Sequence, residues 1–289
     1  MPELPEVETM RRGILHLVGS RIVGAEFPCG PKRPINTSPT PVAISAAIRG
    51  GRLSAVERYG KRLALAITFP GRQRWLVIEP RMTGLMLVKP PPTADHVRMV
   101  LHLQQAGQRR RQPLVFWDQR GLGTLRLVDA RGLEETCGQT TLGPDGLSVT
   151  ADDLVRALAH SRRAIKVALL DQRAVAGIGN IYASEILHHA GLDPRLPCRR
   201  LSRKAWERVA DTTRAILAEA VRMKGSSIGD ELYQTPTRRL GSFQHRHRVY
   251  GRADQSCATC HATIRRLVQG QRSTFFCPRC QSRSSRHIS

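Results

Sequence analysis

Four cysteines near the C-terminus have the spacing of a metal site. They form two CxxC pairs, Cys257 with Cys260 and Cys277 with Cys280, and sixteen residues separate the pairs. Four thiolates complete a tetrahedral zinc site and leave no position open for a substrate. We therefore predict one structural Zn²⁺ that supplies folding free energy to a segment too small to fold alone. Two disulfides are the alternative, which a reducing compartment disfavours.

The segment between the two pairs, TIRRLVQGQRSTFF, predicts two strands joined by a glycine turn that presents Arg272. A basic hairpin next to zinc is typical of nucleic-acid binding, but it indicates no particular reaction. The other three cysteines, Cys29, Cys137 and Cys198, are expected to be ordinary thiols.

A glycine-rich turn leads into a helix in AGIGNIYASEILHH, residues 176 to 189, with Asn180 at or near the N-cap. Backbone N–H groups at such a turn can bind an anion, and the helix dipole strengthens the attraction. The same pattern is commoner at ordinary helix-turn-helix corners. The high positive charge of the chain favours the phosphate-binding interpretation here.

The chain opens with MPELPEVETM, an acidic segment in a protein whose formal net charge is +23. Pro5, Glu6 and Glu8 suit the first turn of a helix, whose apolar positions 7, 10, 14, 17 and 18 precede Gly19. Complementing the helix dipole would explain Glu6 and Glu8, but it does not explain Glu3 beside Pro2.

The composition points to a polyanionic partner. The 289 residues include 46 Lys and Arg against 23 Asp and Glu, and 40 of the cations are Arg. Arginine favours bidentate contacts to phosphates and base edges. A genome rich in GC would explain Arg in place of Lys, but not a two-fold excess of cations over anions.

The elements that must position these residues fall into two groups. Eight short strands between residues 21 and 128 predict an antiparallel sandwich or barrel. A turn-rich linker at 142–150 is followed by four helical patterns, and the aperiodic stretch from Lys224 to about Tyr250 predicts a long loop.

No targeting or membrane segment is expected. The N-terminus is acidic where a secretory signal would be basic, and the longest apolar runs are too short to span a bilayer. We therefore expect a cytoplasmic protein.

Several motifs, in order along nearly the whole chain, resemble those of the bacterial formamidopyrimidine-DNA glycosylase family. They are MPELPEVET, Lys61 after YG, RMTG around Met82, GIGNIYASEIL, VYGR at Tyr250 and QRSTFFC in a CxxC hairpin. The sister family, endonuclease VIII, shares the fold and the zinc hairpin. The LPEVET continuation favours the branch that acts on purine lesions.

The resemblance implies an α+β fold: an N-terminal antiparallel β-sandwich with an N-terminal helix, a helix-two-turn-helix domain and a zinc β-hairpin finger. The expected boundaries are a catalytic domain at 1–141, the linker at 142–150, the DNA-binding domain with its lesion-capping loop at 151–249, and the four-cysteine zinc finger at 250–289.

The resemblance also implies a bifunctional DNA glycosylase and AP lyase of base excision repair that excises oxidised purines. Removal of Met1 would make Pro2 the N-terminus, and its secondary amine would form a Schiff base with the damaged sugar, followed by β,δ-elimination. Glu3 resembles the general acid/base, Glu6 a supporting carboxylate, and Lys61 the lysine beside the lesion phosphate.

The resemblance also implies that the protein is a monomer, that it binds damaged double-stranded DNA and that it needs no cofactor except zinc. Asn180, Tyr250 and Arg272 match phosphate contacts, and Arg272 is grouped with the catalytic residues. The residues that match those filling the space left by the extruded base are Met82, Arg120 and Leu122.

Three positions depart from the family pattern. Leu122 stands where a Phe is expected, Glu79 where a phosphate-contacting His is expected, and the capping loop reads KGSSIGD from Lys224 to Asp230. An oxidised-pyrimidine glycosylase of the endonuclease VIII kind is one alternative. A non-catalytic zinc-dependent DNA-binding protein, which Glu79 and Leu122 favour, is the second. The presence of Pro2, Glu3 and Lys61 counts against the second.

Overall fold

A computed structural model describes residues 2–28, 34–229 and 233–281 of the chain. Met1, Cys29 and Asp230 lie outside the described residues. The chain divides into two compact units, Met1–Gly138 with Met223–Ser242, and Gln139–Arg222 with Phe243–Ser289. The capping-loop segment thus packs within the first unit. The division into four functional segments stays a prediction.

The first unit begins with helix α1, Leu4–Ile14. Its buried face includes Val7, Met10 and Ile14, as the helical spacing predicts. The helix ends earlier than expected, because Leu15–Leu17 forms a 3-10 turn that keeps Leu17 buried and leaves Val18 38% exposed. The chain then reverses direction at Gly19, whose φ of +93° lies in the left-handed region that glycine adopts without steric cost.

The first unit contains one nine-stranded sheet. Its strands are β1 Arg21–Glu26, β2 Asn36–Ser38, β3 Arg52–Tyr59, β4 Arg62–Phe69, β5 Arg72–Glu79, β6 Gly84–Leu87, β7 Val97–Gln104, β8 Gln112–Asp118 and β9 Thr124–Val128. The order is β2-β9-β5-β4-β3-β1-β7-β8-β6, antiparallel except for the parallel β2–β9 pair. All eight predicted strands are present.

Three short elements of the first unit were not predicted. They are β2 and the helices α2, Pro41–Ile48, and α3, Ala130–Cys137. Both helices have ordinary N-caps, since the side chains of Thr40 and Asp129 accept hydrogen bonds from backbone N–H groups. Strand β2 has three residues and gives no periodic signal.

The second unit contains the four helices that the sequence predicts. They are α4 Ala151–Leu158, α5 Ile165–Leu169, α6 Asn180–His189 and α7 Arg203–Arg222. The strands of the predicted hairpin follow as β10 Arg265–Gln269 and β11 Arg272–Phe276. Among the described helices, none combines the length and the apolar character needed to cross a membrane.

A buried ion-pair cluster fixes α1 against β3. The carboxylate of Glu8 accepts hydrogen bonds from Arg11 at 2.9 Å, Arg12 at 2.8 Å and Arg58 of β3 at 3.0 Å. Burial raises the pKa of Glu8, but hydrogen bonds from Arg11 and Arg12 outweigh it and lower the pKa to about 2.

Glu8→Gln should therefore destabilise the protein by roughly 3 kcal/mol at pH 7. Because the folded pKa is depressed from 4.5 to about 2, this stabilisation is present above pH 4.5 and is lost as the pH falls toward 2. Urea unfolding of both proteins between pH 7 and pH 3 measures the difference, which should shrink in acid. Glu135→Gln, at a side chain 64% exposed beside Arg131, should change little. Equal stability of the Glu8 and Glu135 variants would contradict the assignment.

Candidate active site and metal centre

The amino-terminal segment is held by a reciprocal pair of carboxylates. Glu3 is the N-cap of α1, and its side chain accepts from the backbone N–H of Glu6. The Glu6 Oε2 in turn accepts from the Glu3 N–H at 2.8 Å. Both side chains are only 1% exposed, and Pro2 immediately before them is also buried. This capping box fixes where Pro2 and Glu3 lie.

The loop after α7 along the chain packs on the same carboxylate. Glu6 Oε1 accepts from the Ser226 N–H at 2.8 Å, and the Tyr233 hydroxyl donates to the Glu6 carbonyl at 3.3 Å. A Cβ at Gly225 would lie 2.6 Å from Glu6 Oε1, and φ there is +78°. Only glycine fits this close approach.

Lys61 lies in the turn of the β3–β4 hairpin, where the sequence predicts it. Tyr59 pairs with Arg62, and Gly60 between them has φ +55°. Glu79 lies near this turn, 3.8 Å from Arg62 and 3.2 Å from Arg81. Glu79, which stands where the family pattern has a histidine, thus has ion-pair partners within the protein.

Two turns joined by hydrogen bonds carry the residues that are predicted to fill the space left by the extruded base. The Thr83 hydroxyl donates to Asp118 Oδ1 and accepts from the Arg120 N–H at 3.0 Å. Met82, before Thr83, is 37% exposed, and the Arg120 side chain is exposed while Leu122 is half-buried. The structure therefore places Met82 and Arg120 on adjacent, mutually anchored turns.

Asp118 completes this anchor. Its Oδ2 accepts from the Gly123 N–H at 2.7 Å, and its carbonyl accepts from Arg98 Nε at 3.0 Å. The side chain is fully buried. One carboxylate therefore orders both ends of the turn that holds Arg120 and Leu122.

In the second unit, Asn180 is the first residue of α6, and Gly179 is its N-cap. The Asn180 amide donates to the Ser273 carbonyl of β11 at 3.0 Å. Lys166, with no exposed surface, donates to Asn180 Oδ1 at 2.6 Å and to Thr274 Oγ1 at 2.7 Å. Helix α6 and the hairpin are thereby locked together beside Arg272, whose side chain is exposed at the start of β11.

Tyr250 is positioned by a second buried carboxylate, on α6. Glu185 accepts from the N–H groups of Arg248, Val249 and Tyr250 at 2.8 to 3.0 Å. Burial raises the pKa of Glu185, and these three N–H groups oppose the rise. The Tyr250 ring packs edge-on against Phe275, with 5.1 Å between the ring centroids.

The four predicted ligands converge at one point. Their sulfur atoms all lie within 4.8 Å of one another, with 3.9 Å from Cys257 to Cys280 and 3.4 Å from Cys260 to Cys277. A tetrahedral zinc with bonds of about 2.3 Å needs edges of about 3.8 Å. The donor set therefore fits one Zn²⁺.

The protonation of the thiols also fits a cation. Burial raises the pKa of Cys257, but the N–H groups of Thr259 and Cys260 outweigh it and lower the pKa to about 7. Burial and the neighbouring thiols raise the pKa of Cys280. Four crowded thiols cannot all lose their protons without a cation, because the negative charges repel each other. A divalent ion among them stabilises all four as thiolates.

Five residues that position the predicted site residues were not predicted from the sequence. They are Thr83, Asp118, Lys166, Glu185 and Ser226. A charged residue inside an apolar helical pattern, such as Lys166 or Glu185, was the available signal.

Three family models match the chain in order. "Formamidopyrimidine-DNA glycosylase N-terminal domain" matches residues 1–125, "Formamidopyrimidine-DNA glycosylase H2TH domain" matches 142–231, and "Zinc finger found in FPG and IleRS" matches 254–283.

The chain is also similar to curated and solved proteins. It is 37% identical to the formamidopyrimidine-DNA glycosylase of Laribacter hongkongensis and 38% identical to that of Paracoccus denitrificans, covering 97% of this chain and 100% of each relative. The crystal structure of the MutM (Fpg) protein from Thermus thermophilus superimposes with TM-score 0.83 at 37% identity, covering 97% of this chain and 98% of that one. MutM in complex with DNA that contains carbocyclic 8-oxo-G gives TM-score 0.82 at 28% identity, with 97% and 100% covered.

Cys277→Ser should lose the zinc, because three thiolates and a hydroxyl hold Zn²⁺ far more weakly than four thiolates. Metal analysis should find about one zinc per wild-type chain and little in the variant, and limited proteolysis should cut the variant between 254 and 281. Cys137→Ala, at a buried thiol outside the cluster, should keep its zinc. A full equivalent of zinc in the Cys277 variant would refute the four-ligand assignment.

Proposed function

This chain belongs to the formamidopyrimidine-DNA glycosylase family, and we propose that it excises oxidised purines from damaged duplex DNA and then cleaves the strand. The observation that carries the proposal is the position of Pro2, directly before the capping box that fixes Glu3 and Glu6. The protein acts as a monomer in base excision repair.

Pro2 is the nucleophile once Met1 has been removed. A terminal α-amino group has a pKa near 8, so part of it is deprotonated at neutral pH. Its nitrogen attacks C1′ of the damaged nucleotide, and the electron pair of the glycosidic bond leaves with the base, which takes up a proton. The sugar ring opens to an iminium, which withdraws electrons from C2′. Loss of a C2′ proton then expels the 3′-phosphate, and loss of the C4′ proton expels the 5′-phosphate. Water hydrolyses the remaining iminium, which breaks the bond from nitrogen to C1′ and frees Pro2.

Glu3 is the general acid/base for the opened sugar, and Glu6 is a supporting residue. The Glu3 carboxylate lies next to the nucleophile at the N-terminus of α1, where the helix dipole stabilises negative charge. Glu6 touches no reacting atom in this assignment. Its hydrogen bonds to Glu3 and Ser226 hold the nucleophile segment and the capping loop in register.

Four residues bind phosphates around the lesion: Lys61, Asn180, Tyr250 and Arg272. Lys61 is carried by a hairpin turn, and Asn180 lies at the positive end of α6. These contacts together bend the backbone so that the damaged nucleotide turns out of the duplex.

Met82, Arg120 and Leu122 fill the space that the extruded nucleotide leaves. Met82 and Arg120 project from the two turns anchored by Thr83, and Arg120 reads the Watson–Crick edge of the unpaired base. Leu122 wedges between base steps without aromatic stacking, which costs about 1 kcal/mol or more.

The comparisons favour oxidised purines over the pyrimidine lesions of the endonuclease VIII kind. The curated relatives are named formamidopyrimidine-DNA glycosylase, and MutM, which shares this fold, binds DNA containing an 8-oxo-G analogue. Pro2, Glu3 and Lys61 together favour an enzyme over a non-catalytic DNA-binding protein. We place its work at the chromosome in the bacterial cytoplasm, where the four-cysteine site stays reduced.

Borohydride reduction should trap the wild-type protein covalently on DNA that contains an abasic site, because the iminium is reducible. Pro2→Gly should trap much less, because it replaces the secondary amine. Glu3→Gln should lower strand cleavage by about 10²-fold or more, since it removes the general acid/base. Denaturing gels with labelled duplex measure both products.

Glu57→Gln is the control, since Glu57 lies on β3 and has no part in the assignment. It should trap and cleave like the wild type. If wild-type protein with Met1 removed traps nothing, the catalytic proposal fails and the DNA-binding alternative takes its place.

Binding to duplex with an uncleavable abasic analogue should weaken steeply with salt, because several phosphates are neutralised. Arg272→Gln should reduce the slope of log K against log salt by about 1, whereas Arg131→Gln, at an exposed residue paired with Glu135, should leave the slope unchanged. Fluorescence anisotropy from about 50 to about 300 mM salt measures both slopes. Identical slopes for the two variants would remove Arg272 from the phosphate contacts.

A further inference from the structure

A cavity of about 310 Å³ lies in the first unit between the β7–β8 turn and the starts of β1 and β3. Its walls include Gly19, Arg21, Arg52, Gln104, Gln105 and Arg109. The three arginines are exposed, so the cavity is open to solvent ligands. None of the residues assigned to catalysis or DNA binding lines it.

The sheet register brings two of these arginines face to face. Arg21 is directly opposite Arg52 of β3 on one side and opposite Gln104 of β7 on the other. Directly opposed residues on neighbouring strands point to the same face, with their Cβ atoms about 5 Å apart. Like charges at this spacing repel each other and destabilise the sheet, unless an anion lies between them.

Protein carboxylates do not supply that anion in the part of the chain that the structure describes. No acidic residue lines the cavity, and neither Arg21 nor Arg109 forms an ion pair among the described residues. Arg52 donates one hydrogen bond, from Nη1 to the Gly19 carbonyl at 2.8 Å.

The wall formed by the turn is held in place. Gln105 Nε2 donates to the His16 carbonyl at 2.9 Å, and Gln104 Nε2 donates to the Gln108 carbonyl at 3.1 Å. The turn that carries Arg109 is thus tied both to itself and to the segment after α1. These two hydrogen bonds hold the wall that the turn contributes to the cavity.

The cavity lies at the opposite end of the elements that carry the active site. Strand β3 starts at Arg52 and ends next to the Lys61 turn, and its eight residues span about 23 Å. Helix α1 starts beside Glu3, and the chain reaches the cavity at Gly19. A phosphate bound here is therefore separate from the phosphates that flank the lesion.

We propose that this cavity is a second anion site, in which Arg21, Arg52 and Arg109 together bind a phosphate group. Guanidinium groups match the oxygens of phosphate with paired N–H donors, and three of them suit a group with at least two negative charges or two adjacent phosphates. The ligand is either a free phosphate or diphosphate, or the backbone of a second DNA duplex. The inference goes beyond the proposed function and stands without it.

The test compares two triple variants that remove the same number of charges. The cavity variant removes all three cations of the site through Arg21→Gln, Arg52→Gln and Arg109→Gln. The control variant carries Arg131→Gln, Arg156→Gln and Arg203→Gln, since each of these exposed arginines is already paired with a carboxylate. Arg109→Gln alone, in an exposed turn, is a milder variant that keeps the strands unchanged.

The first arm measures binding of inorganic diphosphate by calorimetry and by the shift in melting temperature, with chloride added to equal ionic strength. The second arm follows a labelled duplex as undamaged competitor DNA is added, since direct transfer through a second site makes the dissociation rate rise with competitor concentration. Loss of one guanidinium contact should weaken binding on the order of tenfold.

We expect the cavity variant to lose the diphosphate response or the competitor-dependent dissociation, while the control variant keeps both. Loss in the first arm identifies a free phosphate compound as a ligand, and loss in the second identifies DNA. The Arg109 variant should show a smaller loss in the same arm. If the cavity variants and the control behave alike in both arms, the cavity is not an anion site. Because the first arm uses no DNA, its outcome is independent of the excision assay.

Discussion

The carboxylate of Glu6 is the contact on which the arrangement of Pro2, Glu3 and the loop at Ser226 depends. One oxygen accepts from the Glu3 N–H and the other from the Ser226 N–H, both at 2.8 Å. The segments that carry Glu6 and Ser226 are 220 residues apart in the chain, yet they share one buried acceptor. Moving the start of α1 would therefore break the contact to the loop, and moving the loop would leave one buried oxygen of Glu6 without this donor. The position of Pro2 follows from this constraint.

In the second unit, a buried cation takes the place of the buried carboxylate and joins distant segments of the chain. Lys166 is completely buried and donates to the side chains of Asn180 and Thr274 and to the Ser273 carbonyl. Such a cation is stable only because all three of its N–H donors are used. It fixes the start of α6 relative to the β10–β11 hairpin, so that Asn180 and the exposed Arg272 belong to one rigid arrangement.

The sequence was sufficient for features with local signals. The eight strands, the four helices of the second unit and the zinc cysteines were predicted from periodicity and spacing, and the family motifs identified the fold. Strand β2 was missed, since its parallel partner β9 lies far along the chain. Lys166 and Glu185 were missed for the same reason, because they bind partners as far as 108 and 65 residues away, which leave no pattern nearby. Prediction failed where a single buried charge joins distant segments.

The distribution of charge explains why so cationic a chain opens with acids. A carboxylate facing DNA would repel phosphates, whereas a buried one that accepts N–H donors organises the backbone and is neutralised by it. Glu6 and Glu185 are of the second kind, whereas the buried Glu8 is neutralised by the guanidinium groups of three arginines. Glu79 is more exposed, at 25%, but Arg81 lies 3.2 Å from its carboxylate and Arg62 is also close. Because its charge is compensated within the protein, an acid at this position is compatible with phosphate binding at the neighbouring Lys61 turn.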